Sequence, residues 1–140
     1  MSVRSFFDTN VLVYTDDHDA PEKQARALEL VERARLDGWG VLSTQVLQEY
    51  FVAATRKLGV PAEIARRKVE LFARLDLVIC GLHDILGAID IQRLHRIGFW
   101  DALIVRAARE SRCAVLYTED LQPGQHFDGL EVVNPFSAPG

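Results

Sequence analysis

Apolar positions along this chain alternate between short compact runs and longer segments at helical spacing. The first run, within residues 3–7, predicts a strand that ends on Asp8, and Val11-Leu12-Val13-Tyr14 predicts a short helix after it. Polar residues 15–19 then lead into Asp19-Ala20-Pro21-Glu22, which has the form of a helix start, with Asp19 as cap and Pro21 in the first turn. That helix runs through Ala25, Leu28, Val31 and Ala34 and stops near Gly38. Gly40-Val41-Leu42-Ser43 predicts a second strand. Thr44 is placed to cap a helix whose stripe is Val46, Leu47, Tyr50, Phe51, Ala54 and Leu58; Gly59 ends it, and Pro61 opens another reaching about Leu75. Residues 77–79 predict a third strand. A helix over residues 83–97 follows, with Ile85, Leu86, Ile89 and Leu94 at helical spacing and Gly98 closing it. A further helix runs from about Asp101 to Arg112. Residues 114–117 predict a fourth strand, residues 121–129 a turn-rich loop, and Leu130-Glu131-Val132-Val133 a fifth strand stopped by Asn134-Pro135.

Short strands alternating with helices predict one α/β domain, a central parallel sheet of about five strands flanked by helices. There is no internal repeat or low-complexity segment, and residues 137–140 read as a loose C-terminal tail. The length of 140 residues suits one core, and 49% apolar with 26% charged residues is ordinary for a globular protein. No apolar run reaches membrane-spanning length, so no membrane association is expected, and the opening residues are too short for a signal peptide, so a cytoplasmic location is the expectation. Cys80 and Cys113 stand alone without metal-ligand spacing and read as buried free thiols. A net charge of −4 argues against a protein that holds nucleic acid by bulk positive charge, but not against an enzyme that acts on it.

Candidate chemistry rests on four carboxylates. Asp8 closes the first strand and Asp120 lies just past the fourth; if those strands are neighbours, both point into the crevice where open α/β sheets bind ligands. Asp101 shares a helix face with Ile104, Val105 and Ala108, and Glu49 borders the apolar stripe of its helix. Each has a plain structural alternative: turn or cap for Asp8, Asp101 and Asp120, a solvated helix edge for Glu49. Together they are harder to set aside. Two unit charges 4 Å apart repel by about 4 kcal/mol at an effective dielectric near 20, so four acids in one crevice need a counter-charge. With no His or Cys beside them, a hard divalent cation, Mg²⁺ or Mn²⁺, fits better than zinc. Such an ion acidifies a bound water and polarises a phosphoryl oxygen, which together give phosphodiester hydrolysis. Thr9, Asn10 and Thr118 are placed to orient ligands or water.

Asp8-Thr9-Asn10, Glu49 in Thr44-Gln45-Val46-Leu47-Gln48-Glu49, Trp100-Asp101-Ala102-Leu103-Ile104, Thr118-Glu119-Asp120-Leu121-Gln122 and Val133-Asn134-Pro135-Phe136 occur in the order seen in PIN-domain proteins. The chain resembles most the VapC-type toxins of bacterial toxin–antitoxin pairs, over residues 6–136. The resemblance implies a PIN domain over residues 1–136 and a Mg²⁺- or Mn²⁺-dependent endoribonuclease. It implies an acidic site of Asp8, Glu49, Asp101 and Asp120, with Asp8 and Asp101 as direct metal ligands and Glu49 and Asp120 ligating or orienting water. Asn10 and Thr118 would support it. Asp120 is chosen over Glu119 because it falls two residues after Thr118. The resemblance also implies a homodimer and a small cognate antitoxin that covers the crevice. Arg56, Lys57, Arg93 and Arg96 are candidates to meet the RNA backbone, by chain proximity alone; the bland reading of each is a solvated helix face.

Two other readings stay open. An aspartyl-phosphate phosphohydrolase would use Asp8 as nucleophile, but it wants an acid where Asn10 stands and a Lys after the fourth strand. A catalytically silent PIN-like binding module would act only through a protein partner.

Overall fold

The computed structural model describes residues 3–137. Its strands are β1 (Ser5–Phe7), β2 (Gly40–Ser43), β3 (Asp76–Val78), β4 (Val115–Tyr117), β5 (His126–Phe127) and β6 (Leu130–Val133). Its helices are α1 (Thr9–Tyr14), α2 (Pro21–Asp37), α3 (Thr44–Arg56), α4 (Ala62–Phe72), α5 (Leu82–His95) and α6 (Phe99–Glu110). The sheet order is β3-β2-β1-β4-β6-β5, parallel throughout except for the antiparallel pair β5–β6. Strands buried on both faces explain the uninterrupted apolar runs: Phe6, Phe7, Val41, Leu42 and Leu116 are all fully buried. Each such side chain contributes about 1.5–3 kcal/mol of burial free energy. At Gly40 a Cβ would lie 2.8 Å from Ala34 Cβ and 3.0 Å from the Phe7 ring, so α2 and the neighbouring strand close over this position only because it has no side chain.

The chain leaves β1 for β2 on one side and later returns to place β4 on the other. The order therefore reverses between β1 and β4, which is where such sheets open a crevice at their carboxyl ends. Register pairs Phe7 with Tyr117, and the Asp8 amide donates to the Tyr117 carbonyl at 3.0 Å. Asp8 and the residues after β4 are thus joined by the sheet itself.

Several expectations are corrected. Among the described residues there are six strands rather than five, because β5 forms inside the expected loop. Asp128 (φ 49°) and Gly129 (φ 88°) make the two-residue turn between Phe127 and Leu130, the left-handed pair that Asp-Gly favours. Two residues are too few to show a period, so only the turn was readable. Asp19 does not cap α2: Ala20 takes that position with no side-chain cap, and Asp19 instead donates its amide to Asp17 Oδ1. The buried face of α2 is Ala27, Leu30 and Ala34, while Leu28 is exposed. Ser43, not Thr44, caps α3, and Thr44 Oγ1 accepts from the Cys80 amide. Phe51 stands outside the buried stripe of α3. The expected stripe of α5 is also displaced. Ala88 and Ile91 are buried, while Ile85, Leu86, Ile89 and Leu94 face outward, and the helix ends at Arg96 in left-handed backbone (φ 57°) rather than at Gly98. Ile79 lies beyond β3 and is exposed. Both cysteines are free; Cys113 is buried, but Cys80 is only partly so. Of the tail expected over residues 137–140, residues 138–140 lie outside the described region. Among the described residues, no helix is long and apolar enough to cross a membrane.

Candidate active site

Asp8 follows β1 directly and is the N-cap of α1, so the structural alternative for this residue is realised. The cap uses only part of the carboxylate. Oδ1 accepts from the Thr9 amide at 2.7 Å, while Oδ2 accepts from Thr118 Oγ1 at 2.7 Å and from Asn10 Nδ2 at 3.4 Å. Although these bonds favour the charged form, burial outweighs them, and the carboxylates of Asp120 and Glu49 add repulsion; the Asp8 ionisation is pushed from 3.8 to about 6. The side chain is 5% exposed.

Asn10 and Thr118 tie the two strand ends together. Asn10 Nδ2 reaches Thr118 Oγ1 at 3.2 Å and Asp120 Oδ2 at 3.1 Å, and its Oδ1 accepts from the Glu119 amide at 3.4 Å. Thr118 Oγ1 donates to Asp8 and accepts from the Asp120 amide at 3.0 Å, which turns the chain so that Asp120 faces the crevice. Glu119 points elsewhere. It accepts from Lys23 Nζ at 2.9 Å and from the Tyr14 hydroxyl. The structure therefore brings Asp120 beside Asn10 and Thr118 and commits Glu119 to an ion pair.

Glu49 projects from the second turn of α3 and accepts from Thr9 Oγ1 at 2.6 Å. Asp101 is the third residue of α6, whose N-cap is Gly98, so it is not a cap. It makes no side-chain hydrogen bond or ion pair among the described residues, and burial followed by the charges of Asp120 and Glu49 raises its ionisation. The mutual repulsion places Asp8, Glu49, Asp101 and Asp120 in one electrostatic neighbourhood.

Sequence reasoning missed Gln45. It is 6% exposed, and its Nε2 donates to Glu49 Oε2 at 3.3 Å and to the Trp100 carbonyl at 3.2 Å, linking α3 to the start of α6. Its Oε1 is buried without a partner. The available signal was its position four residues before Glu49 on the same helix.

The donor set suits a hard divalent cation. It is all oxygen, and no Lys or Arg among the described residues pairs with any of the four acids. Among the described residues no three acids stand close enough to enclose an ion by themselves. The acids therefore form no closed cage among the described residues, and an ion bound by them would have to keep several waters.

A groove of about 970 Å³ runs from Glu49 and Asp120 along α3, lined also by Tyr14, Trp100, Arg56 and Lys57 among others; Asp8 and Asp101 lie beside it rather than in its lining. Arg93 and Arg96 do not line it. A second cavity of about 670 Å³ lies beside Ala114, at the amino end of β4, with Arg106, Arg109 and Arg112 around it. Ligand chemistry in open α/β sheets belongs to the carboxyl ends of the strands, so the groove at the acids is the candidate site.

Comparison with protein families finds a match to the family described as PIN domain over residues 5–125. No curated protein sequence matches the chain significantly. Among solved structures, VapC20 of Mycobacterium tuberculosis, described as a sarcin–ricin loop cleaving toxin, is 19% identical with a TM-score of 0.65, over 83% of this chain and 89% of that one. A toxin–antitoxin complex from Klebsiella pneumoniae gives 19% identity and a TM-score of 0.66, over 94% and 97%. VapBC2 of Rickettsia felis, solved with a DNA fragment from its promoter, gives 21% identity and a TM-score of 0.62, over 91% and 96%.

Proposed function

The chain belongs to the PIN-domain family, and from that premise we propose that it is a Mg²⁺- or Mn²⁺-dependent endoribonuclease, the toxin of a type II toxin–antitoxin pair. The observation that carries this reading is the gathering of four acids, with no cationic partner among the described residues, at the switch point between β1 and β4. Asp8 and Asp101 are the proposed metal ligands, with Glu49 and Asp120 ligating or orienting water. Asn10 and Thr118 hold Asp8 and Asp120 in register across the two strand ends. Bound there, the cation would neutralise the cluster and supply Lewis-acid chemistry to a phosphodiester.

The chain's own residues do the rest. Thr9 and Gln45 fix the Glu49 carboxylate from two sides, so it is aimed before substrate arrives. Arg56 and Lys57 line the groove and make no ion pair among the described residues, leaving their charge available for phosphates.

An antitoxin partner is proposed because the Klebsiella pneumoniae neighbour is a toxin–antitoxin complex and the Rickettsia felis one a VapBC assembly. A homodimer is proposed because α5 exposes Leu82, Ile85, Leu86 and Ile89 on one side. Sedimentation of the isolated chain tests the dimer, and charged substitutions at Leu86 and Ile89 should shift it to monomer.

RNA cleavage by the wild type with Mg²⁺ or Mn²⁺, with and without chelator, against Asp8→Asn tests the enzyme. Cleavage lost in both the chelated and substituted samples is expected. Activity indifferent to both overturns the metal site, and no cleavage of any RNA leaves a binding module acting through its partner.

A further inference from the structure

Trp100 is the one large aromatic side chain in the groove that presents most of its surface to solvent, at 63% exposure. It immediately precedes Asp101 and is the second residue of α6. The ring is exposed yet braced. Phe99 meets it edge-on at 5.2 Å, with its own ring packed against the core, and the Trp100 carbonyl is held by Gln45 Nε2 at 3.2 Å. Nothing in the packing of the described residues requires an indole here.

The groove supplies the complementary chemistry. Arg56 and Lys57 line it from the end of α3 without ion-pair partners among the described residues, and Glu49 and Asp120 line it between them and the strand ends. Free cations, a reactive acidic centre and a braced ring are the parts list of a site that tracks a backbone while stacking a base. A base paired within a duplex has no free face to offer, so the occupant must present unpaired bases.

Resting on the nuclease reading above, we propose that Trp100 is a substrate-positioning residue. Its indole stacks one unpaired nucleobase of a single-stranded RNA segment next to the phosphate held at the acids, and the strand continues toward Arg56 and Lys57. The ring fixes where the strand lies relative to Asp101 and tolerates different bases, since every base has a face to stack.

The test is cleavage of a random-sequence single-stranded oligoribonucleotide pool by the wild type, Trp100→Ala and Trp100→Phe, with Mn²⁺. Truncation to Ala should raise the apparent KM by roughly 5- to 150-fold, the alanine-substitution range for one base on one ring, with kcat changed less than about twofold. Phe should restore most of the loss. Trp39, the other tryptophan, is buried beside the amino end of β2, so quenching of intrinsic emission by the oligonucleotide should come from Trp100 and vanish in Trp100→Phe. A wild-type KM in Trp100→Ala, on RNA that the wild type cleaves, overturns the proposal and leaves the nuclease reading intact. So does a rise in KM that accompanies lost self-association in sedimentation, which would make the ring a subunit contact. Loss of affinity for the antitoxin with RNA kinetics unchanged would make it a protein-docking residue and also overturn it. If the wild type cleaves no RNA, the nuclease reading fails first and this proposal falls with it.

Discussion

Replacing Asp8 by Asn should stabilise the metal-free protein at neutral pH, although it removes the most central side chain of the site. Burial, with help from Asp120 and Glu49, moves the ionisation of Asp8 from 3.8 to about 6. At about 1.4 kcal/mol per pH unit this is a penalty of about 3 kcal/mol for holding the charge in the folded state. Between 3.8 and 6 the native state binds more protons than the unfolded chain, so stability falls as pH rises through that window and is flat above it. Asn has the same shape and no charge. Its amide oxygen keeps the Thr9 amide bond, but the Thr118 hydroxyl, which already accepts from Asn10 and from the Asp120 amide, loses the carboxylate it donated to, at a cost of about 1 kcal/mol. The long contact from Asn10 at 3.4 Å is lost, at a cost of up to about 1 kcal/mol. Urea unfolding in chelator should therefore show Asp8→Asn more stable by about 1 kcal/mol at pH 7 to 8, with the difference shrinking as pH falls through 6 and reversed below about pH 4, where only the lost hydrogen bonds remain, and equal m-values. Added Mg²⁺ should stabilise the wild type and not the variant, by about 2.7 kcal/mol at a hundred times its Kd. A variant less stable than the wild type at pH 7 in chelator, or a difference that does not change with pH, would refute the electrostatic reasoning.

Other substitutions separate site from scaffold. Asp101→Asn removes a carboxylate that has no hydrogen bond in the described structure and whose charge is disfavoured by burial and the neighbouring acids, so stability in chelator should hold or rise at neutral pH while cleavage falls by two orders of magnitude or more. Glu119→Gln should leave cleavage unchanged and cost at most about 1 kcal/mol, because Lys23 is partly exposed; Asp120→Asn should do the reverse, and parallel kinetics and melts of the pair read this out. Gln45→Met removes the donor shared by Glu49 and the Trp100 carbonyl; about 1 kcal/mol of stability and roughly tenfold in kcat/KM should go with it. Gly40→Ala forces a methyl to within 2.8 Å of Ala34 Cβ and should destabilise by about 1–3 kcal/mol in denaturant titration, with activity per folded molecule preserved.

The fold was legible where burial is symmetric. Strands such as Phe6-Phe7 and Val41-Leu42 are buried on both faces and announce themselves as unbroken apolar runs. The amphipathic helices were harder. In α2 and α5 the count of apolar residues exceeds the face that is buried, so Leu28, Ile85 and Leu86 took the place of Ala27, Ala88 and Ile91 in the expected stripe. Caps slipped by one residue because neighbouring Ser43 and Thr44 can both accept from a helix amide, and local geometry chose the first. The four candidate acids could be singled out because each lies at a strand end or in the first turns of a helix, near the carboxyl ends of the strands. Gln45 was missed because an uncharged amide carries no signal until its two partners, one of them 55 residues away, are in place.

The central claim is that these acids direct a water, rather than the RNA's own 2′-hydroxyl, at the phosphodiester. End-group mapping of the products formed by the wild type with Mn²⁺ tests it most directly. The account predicts 5′-phosphate and 3′-hydroxyl ends, and no products in chelator or with Asp8→Asn. Products ending in 2′,3′-cyclic phosphate, formed equally well in chelator, would contradict it.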